Sequence, residues 1–233
     1  ATILGRFADG TFLGFPNRFF PDGAQDYGTA DVLLLRTQLD GTIVDTIGYL
    51  PWADMVPGEG GVRTLPLFAQ NAVALPYGNR VLHGRAEDFT VQVYSSSGEV
   101  EGTLERPYER RPITDVVLAA AEEQELAQVR GPEAEAWRAS IARRYHEGPR
   151  AEALPAYQRF LVDATDHIWV QHYLAPGDSV MQWSVFDPGH AFLGEVTVPS
   201  SLRLLDIGAD RVVGLWRDEF DVQTLRVYEL RKP

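Results

Sequence analysis

With 233 residues, 45% of them hydrophobic and 23% charged, the chain is long enough to bury a full core and has the balance of an ordinary globular protein. A net charge of −12 argues against nucleic acid as a partner, because holding a phosphate backbone relies on clustered Lys and Arg. The absence of cysteine excludes disulfides, thiolate metal sites and a cysteine nucleophile, and no apolar run approaches the ~18 residues needed to span a bilayer.

In chain order, the first unit occupies about residues 1–51. Its strands are expected at 3–8, 11–15, 31–38 and 42–50, with Ala8-Asp9-Gly10 and Asp40-Gly41 as tight turns, since Gly tolerates the positive φ a hairpin needs. The connection 16–30 is long and aromatic, and residues 51–64 read as a second long loop, rich in Pro and Gly. A second unit, about 65–107, has strands at 71–75, 80–84, 89–95 and 99–105, with alternation in Thr90-Val-Gln-Val-Tyr94 that suits a strand with unlike faces.

From 112 to 148 the alternation gives way to Ala, Glu, Gln and Arg, all good helix formers. Thr114 suits an N-cap, Gly131-Pro132 breaks the segment, and Pro132 fits the first position of a second helix. Trp137, Ile141 and Tyr145 then form one apolar stripe expected to be buried. A third unit, about 157–199, has strands at 157–162, 167–173, 180–186 and 191–198. The fourth, about 202–233, has strands at 202–206, 211–216 and 222–230, and no fourth strand.

The four units share two features in the same order. A turn residue precedes an apolar pair at Gly10, Asn79, Asp166 and Asp210, and a strand, Gly turn, strand and Pro follow in the first three, ending at Pro51, Pro107 and Pro199. A basic unit of about 40 to 45 residues holding four short strands is the period of a propeller blade. The fold class read from this is all-β: a β-propeller of four-stranded antiparallel blades with an inserted α-helical hairpin. The competing reading is an unrepeated β-sandwich. With only Ala1 and Thr2 before the first strand, no N-terminal strand remains to complete the last blade, so the chain reads as the C-terminal part of a longer protein, an open arc of about four blades out of six.

The stretch Val162-Asp-Ala-Thr-Asp-His-Ile-Trp-Val170, with Trp183-Ser-Val-Phe-Asp-Pro-Gly189 and Phe192-Leu-Gly-Glu-Val196, resembles the elements of bacterial six-bladed β-propellers of NHL-like type. The match is good over the third and fourth units, loose over the first two, and absent from the helical insert. Asp166 and His167 stand where a Gly-Asn type of turn is usual. The resemblance implies an extracytoplasmic location, in the periplasm or cell envelope, and a fold rather than a reaction.

No Ser-His-Asp spacing, phosphate loop or zinc-protease helix is present. His167 and His172 are five apart on one strand, leave opposite faces and cannot share an ion, so no metal site and no cofactor are expected. In a four-stranded blade the long connections 16–30, 51–64, 107–156 and 174–179 all fall on one rim, opposite the short turns. Arg18, Phe20, Tyr27, Trp52 and Arg63 are candidate ligand-binding residues there, since Arg and aromatic side chains are the usual anchors of recognition. His83, beside Arg85, Glu87 and Asp88, reads either as a ligand-binding or basic group on that rim or as a solvated turn histidine. Arg217 to Asp221 reads as a charged turn open to solvent. The scattered arginines, with Lys232 the only lysine, read as compositional bias rather than as anion forks. The function expected is a non-catalytic binding or scaffolding module for a protein or small-molecule ligand; the alternative is an NHL-type hydrolase or lyase with its site at the central funnel.

Overall fold

The computed structural model describes residues 2–16 and 27–231. The described chain is all-β apart from one pair of helices, and its strands form four antiparallel sheets that succeed one another along the sequence. The first sheet comprises β1 (Thr2–Arg6), β2 (Phe12–Phe15), β3 (Gly28–Thr37), β4 (Ile43–Pro57) and the short β5 (Arg63–Thr64). The second has β6 (Ala72–Tyr77), β7 (Arg80–Arg85), β8 (Thr90–Tyr94) and β9 (Val100–Glu105). Helices α1 (Asp115–Leu126) and α2 (Ala134–Glu147) follow. The third sheet holds β10 (Tyr157–Val162), β11 (Ile168–His172), β12 (Val180–Phe186) and β13 (Phe192–Pro199). The fourth holds β14 (Leu202–Ile207), β15 (Arg211–Arg217) and β16 (Gln223–Glu229). Within every sheet the strands lie in sequence order, each paired with the next.

The core is divided into layers between consecutive sheets, and strand alternation explains why. On β7, Val81 joins Leu13, Phe15, Val32 and Leu34 in the layer between sheets one and two, while Leu82 points the other way into the next layer. That second layer, with Phe89, Tyr157, Phe160, Ile168 and Phe186, lies between sheets two and three. Trp169, Met181, Trp183, Leu202 and Leu204 fill the third layer, between sheets three and four. Sheet-on-sheet packing of this kind, repeated in one direction, is a propeller-like arrangement.

The turns joining the first two strands of each sheet hold this succession in step. Ala8 N–H donates to the Gly78 carbonyl at 2.9 Å, the Tyr77 hydroxyl to the Asp166 carbonyl at 3.3 Å, and Ala164 N–H to the Ile207 carbonyl at 2.9 Å, each bond linking one sheet to the next. The departure at Asp166 has a physical cost that its neighbours offset. Asp166 adopts a left-handed φ of 63°, and the preceding Asp163 closes the turn by accepting from Thr165 N–H at 2.8 Å and His167 N–H at 3.0 Å. Asp163 also accepts from the Trp169 indole at 3.1 Å, so its buried carboxylate is fully engaged. At Gly98, φ is 85° and a Cβ would stand 1.9 Å from the Ile47 carbonyl, so only glycine lets the β8–β9 turn meet the first sheet.

Three expectations need correction. Residues 51–57 are strand, not loop: β4 runs on to Pro57, with Ala53 and Met55 buried, and β5 turns back against it. Pro51 and Pro57 hid this period-two pattern; Pro51 sits at a break in the β3–β4 register, where a missing N–H is tolerated. Pro132 is not the first residue of the second helix, which begins at Ala134 after Glu133. Ile141 and Tyr145 are buried, but Trp137 is 60% exposed, because the helices bury themselves mainly against each other and against Leu67 and Phe68, a contact that ends short of Trp137. Thr114 does cap α1, its hydroxyl accepting from Val117 N–H at 3.3 Å. Among the described residues β1 pairs only with β2 and β16 only with β15.

Candidate functional site

One rim of the molecule carries the tight turns, such as Asp40-Gly41, Ser95 to Gly98 and Asp187 to His190, each closed by its own backbone hydrogen bonds. The other carries the β4–β5 hairpin, the helices, the 173–179 connection and the link from β13 to β14. Several clefts open on this second rim, three of them between a sheet and its neighbouring element. A cleft of about 550 Å³ lies between the β4–β5 hairpin and α2, lined by Arg63, Thr64, Ser140, Arg143, Arg144 and Glu147 among others. A smaller one of about 230 Å³, between sheets two and three, is lined by Tyr108, Arg111, His172, Tyr173, Asp178 and Gln182. A third of about 460 Å³ lies between sheets three and four, where Arg159, Gln171, Ser200, Ser201, Arg203 and Arg217 meet.

The residues singled out from sequence fall into two groups. Tyr27 is exposed and its hydroxyl donates to the Gly61 carbonyl at 3.1 Å, which brings it to the β4–β5 hairpin that presents Arg63 to the first cleft. Trp52 instead packs into the layer between sheets one and two, 5.5 Å from the Phe15 ring and 6.3 Å from His83. Arg18 and Phe20 lie outside the described residues.

His83 is not a solvated turn residue. It sits inside β7, 3% exposed, on the same face as Val81, and its Nε2–H donates to the Pro51 carbonyl at 3.0 Å. Burial, assisted by the nearby Arg85 and opposed by the Pro51 hydrogen bond, draws its pKa down to about 4, so the imidazole is neutral across physiological pH. Arg85 reaches from sheet two to sheet one, bonding Asp54 at 2.5 Å and the Thr29 hydroxyl at 3.0 Å.

His172 and Ser184 make a contact that resembles a catalytic pair. His172 Nε2 is 2.8 Å from Ser184 Oγ and 4.0 Å from a Glu195 oxygen. Ser184, however, is fully buried and also accepts from Arg106 at 2.8 Å, while Arg106 pairs with Glu195 and lies over the Phe89 and Phe192 rings. No substrate can reach that hydroxyl, so the group is a polar knot tying the segment after β9 to sheet three. Burial and then Arg106 lower the His172 pKa against the opposing pull of Glu195. His167, at the other end of β11, bonds locally, its Nδ1 2.9 Å from Thr165 Oγ1 and 3.3 Å from Asp163. Among the described residues no three His, Asp or Glu side chains converge as a metal site requires.

No protein-family model matches the chain, and no curated protein matches it. Among solved structures it is similar to a member of the DUF4221 family from Bacteroides vulgatus, at a TM-score of 0.32 and 10% identity over 88% of this chain and 76% of that one. A likeness that weak carries no argument about this chain.

The cleft between sheets three and four was missed from sequence. Arg159 is the third residue of β10 and Arg203 the second of β14, strands that begin 45 positions apart, so no local spacing links them. Gln171 offered one signal: a polar residue in the apolar run Ile168-Trp-Val-Gln171, on the same face as Trp169, which points toward sheet four. Directly across the ladder is Trp183, fully buried, whose Nε1–H meets no acceptor among the described residues.

Proposed function

We propose that this chain is part of a six-bladed propeller of NHL-like type that serves as a non-catalytic binding module, taking its ligand or partner on the rim that carries the longer connections. The observation that supports this reading most is the placement of arginine-lined clefts on that rim, while the opposite rim presents tight glycine-containing turns with few side chains free to reach a ligand. A scaffold of stacked sheets with recognition confined to one rim matches how loops on rigid supports bind. A location in the bacterial envelope belongs to the same proposal and rests on the sequence resemblance alone.

The test is a ligand-observed NMR screen of small molecules against the chain, followed by hydrogen-exchange mapping of each hit. Protection should concentrate at residues 57–65, 140–149, 171–182 and 200–203. Protection confined to 40–41, 95–98 and 187–190 would place recognition on the wrong rim and overturn the proposal.

A further inference from the structure

The geometry points to a specific class of ligand in the cleft between sheets three and four: we propose that it binds a hydroxylated organic anion, a sugar acid or sugar phosphate, with Arg159 and Arg203 clamping the acidic group and Gln171 reading it from the floor. This deepens the preceding proposal and rests on it.

Three features of the cleft converge on this chemistry. Arg159 and Arg203 line the same cleft, and neither has a carboxylate in ion-pair range among the described residues. Arg159 is tied by its own donor to the Leu204 carbonyl at 2.6 Å, a bond that fixes its direction without neutralising its charge. Burial, together with repulsion from Arg203, holds the Arg159 pKa below the usual guanidinium range, and an anion beside both arginines would act in the opposite direction by favouring their charged forms. Arg217, at the far wall, has only an exposed partner, Asp221 at 3.5 Å.

The second feature is Gln171. It is 97% buried, lines the cleft, and its side-chain amide makes no hydrogen bond with any described residue. In the cleft a ligand oxygen or hydroxyl would take the place of solvent at this amide. The third is the rest of the lining: beside the apolar Met181 and Leu215, Gln158, Ser200, Ser201 and Gln223 offer neutral amides and hydroxyls, the complement of sugar hydroxyls, and no Asp or Glu is among them. Guanidinium groups fork onto carboxylate and phosphate oxygens with two parallel bonds, which an ammonium cannot do.

The test is isothermal titration of the 233-residue chain with three probes: glucuronate, glucose 6-phosphate and neutral glucose. At least one anionic probe should bind, glucose at least about tenfold more weakly, and the anion's affinity should fall as NaCl is raised. Arg203→Gln, an exposed position that folding does not need, should weaken the anion by about tenfold or more, the loss expected for a charge-assisted bond. Gln171→Leu separates a binding role from a structural one: a side chain of similar size that loses only contacts made within the cleft should leave the melting temperature little changed while weakening the anion. Equal affinity for glucose and glucuronate, no binding of any probe at millimolar concentration, or binding indifferent to both substitutions would each overturn the assignment. Hits mapping to another cleft of the same rim would leave the broader binding role standing and refute this site alone.

Discussion

Acidification should destabilise this protein through His83 in a way a single substitution isolates. The folded-state pKa of about 4 lies below the ordinary value of 6.5, so between those limits the unfolded chain takes up a proton that the folded chain refuses. Stability from this residue is therefore complete above pH 6.5 and is lost as pH falls toward 4. A depression of that size is worth about 3 kcal/mol at 1.36 kcal/mol per pH unit, and the group is too buried for solvent to screen it away. His83→Gln keeps a donor for the Pro51 carbonyl and cannot titrate. Urea denaturation followed by tryptophan fluorescence, at pH 7, 6, 5 and 4.3, gives the stability of both proteins. Their difference should shift against the wild type by more than 1 kcal/mol per pH unit below pH 6, moving the urea midpoint by about 1 M or more in total. Other histidines and the carboxylates titrate alike in both proteins and cancel. A difference that stays flat from pH 7 to 4.3 would show that His83 is solvated and that the layer between sheets one and two is not packed as described.

Two further perturbations probe the scaffold. Asp163→Ala removes the carboxylate that closes the third sheet's first turn and holds the Trp169 indole, leaving buried donors unmet, and should cost about 3 kcal/mol or more in urea denaturation. Ile141→Ala should cost about 2 kcal/mol or more by opening the contact between the helices, whereas Trp137→Ala should fall within about 0.5 kcal/mol of wild type, since that ring is mostly in solvent.

The strands were legible because burial on a pleated sheet leaves a period-two record and tight turns need glycine. The expected 157–162 and 180–186 coincide with β10 and β12, where apolar residues alternate and glycine or aspartate turns flank them. The repeat was visible for the same reason: each sheet packs against its neighbours through the same strand positions. Legibility failed where one signal masked another. Prolines at 51 and 57 concealed the extension of β4, and the charges after His83 suggested a solvated turn although its spacing from Val81 put it on a buried face. Helical spacing gave the stripe of Trp137, Ile141 and Tyr145, but not the width of the surface that covers it. Clefts between sheets are assembled from strands a whole unit apart, so their residues carry no mutual spacing to read.

The arginines show where structure adds to the reading of compositional bias that their scatter favoured. Scattered through the chain, they look like bias, and several pair with carboxylates from other elements: Arg85 bonds Asp54 on β4, Arg106 pairs with Glu195 on β13, Arg111 bonds Asp178 at 3.1 Å, and Arg144 on α2 pairs with Glu125 on α1. With 33 acidic residues against 21 basic ones, carboxylates are in surplus over the chain as a whole. Arg159 and Arg203 have none in ion-pair range among the described residues. In a chain with surplus negative charge, these two guanidinium groups share a cleft whose walls carry no carboxylate, so their charge is left for an anion from outside the chain to pair. The overall charge of −12 slows the approach of an anion at low ionic strength but fades within a Debye length, whereas the clamp acts at contact distance. Selectivity for an anion in an acidic protein is therefore a local property of this cleft, set by the exclusion of carboxylates from its walls rather than by the number of arginines in the chain.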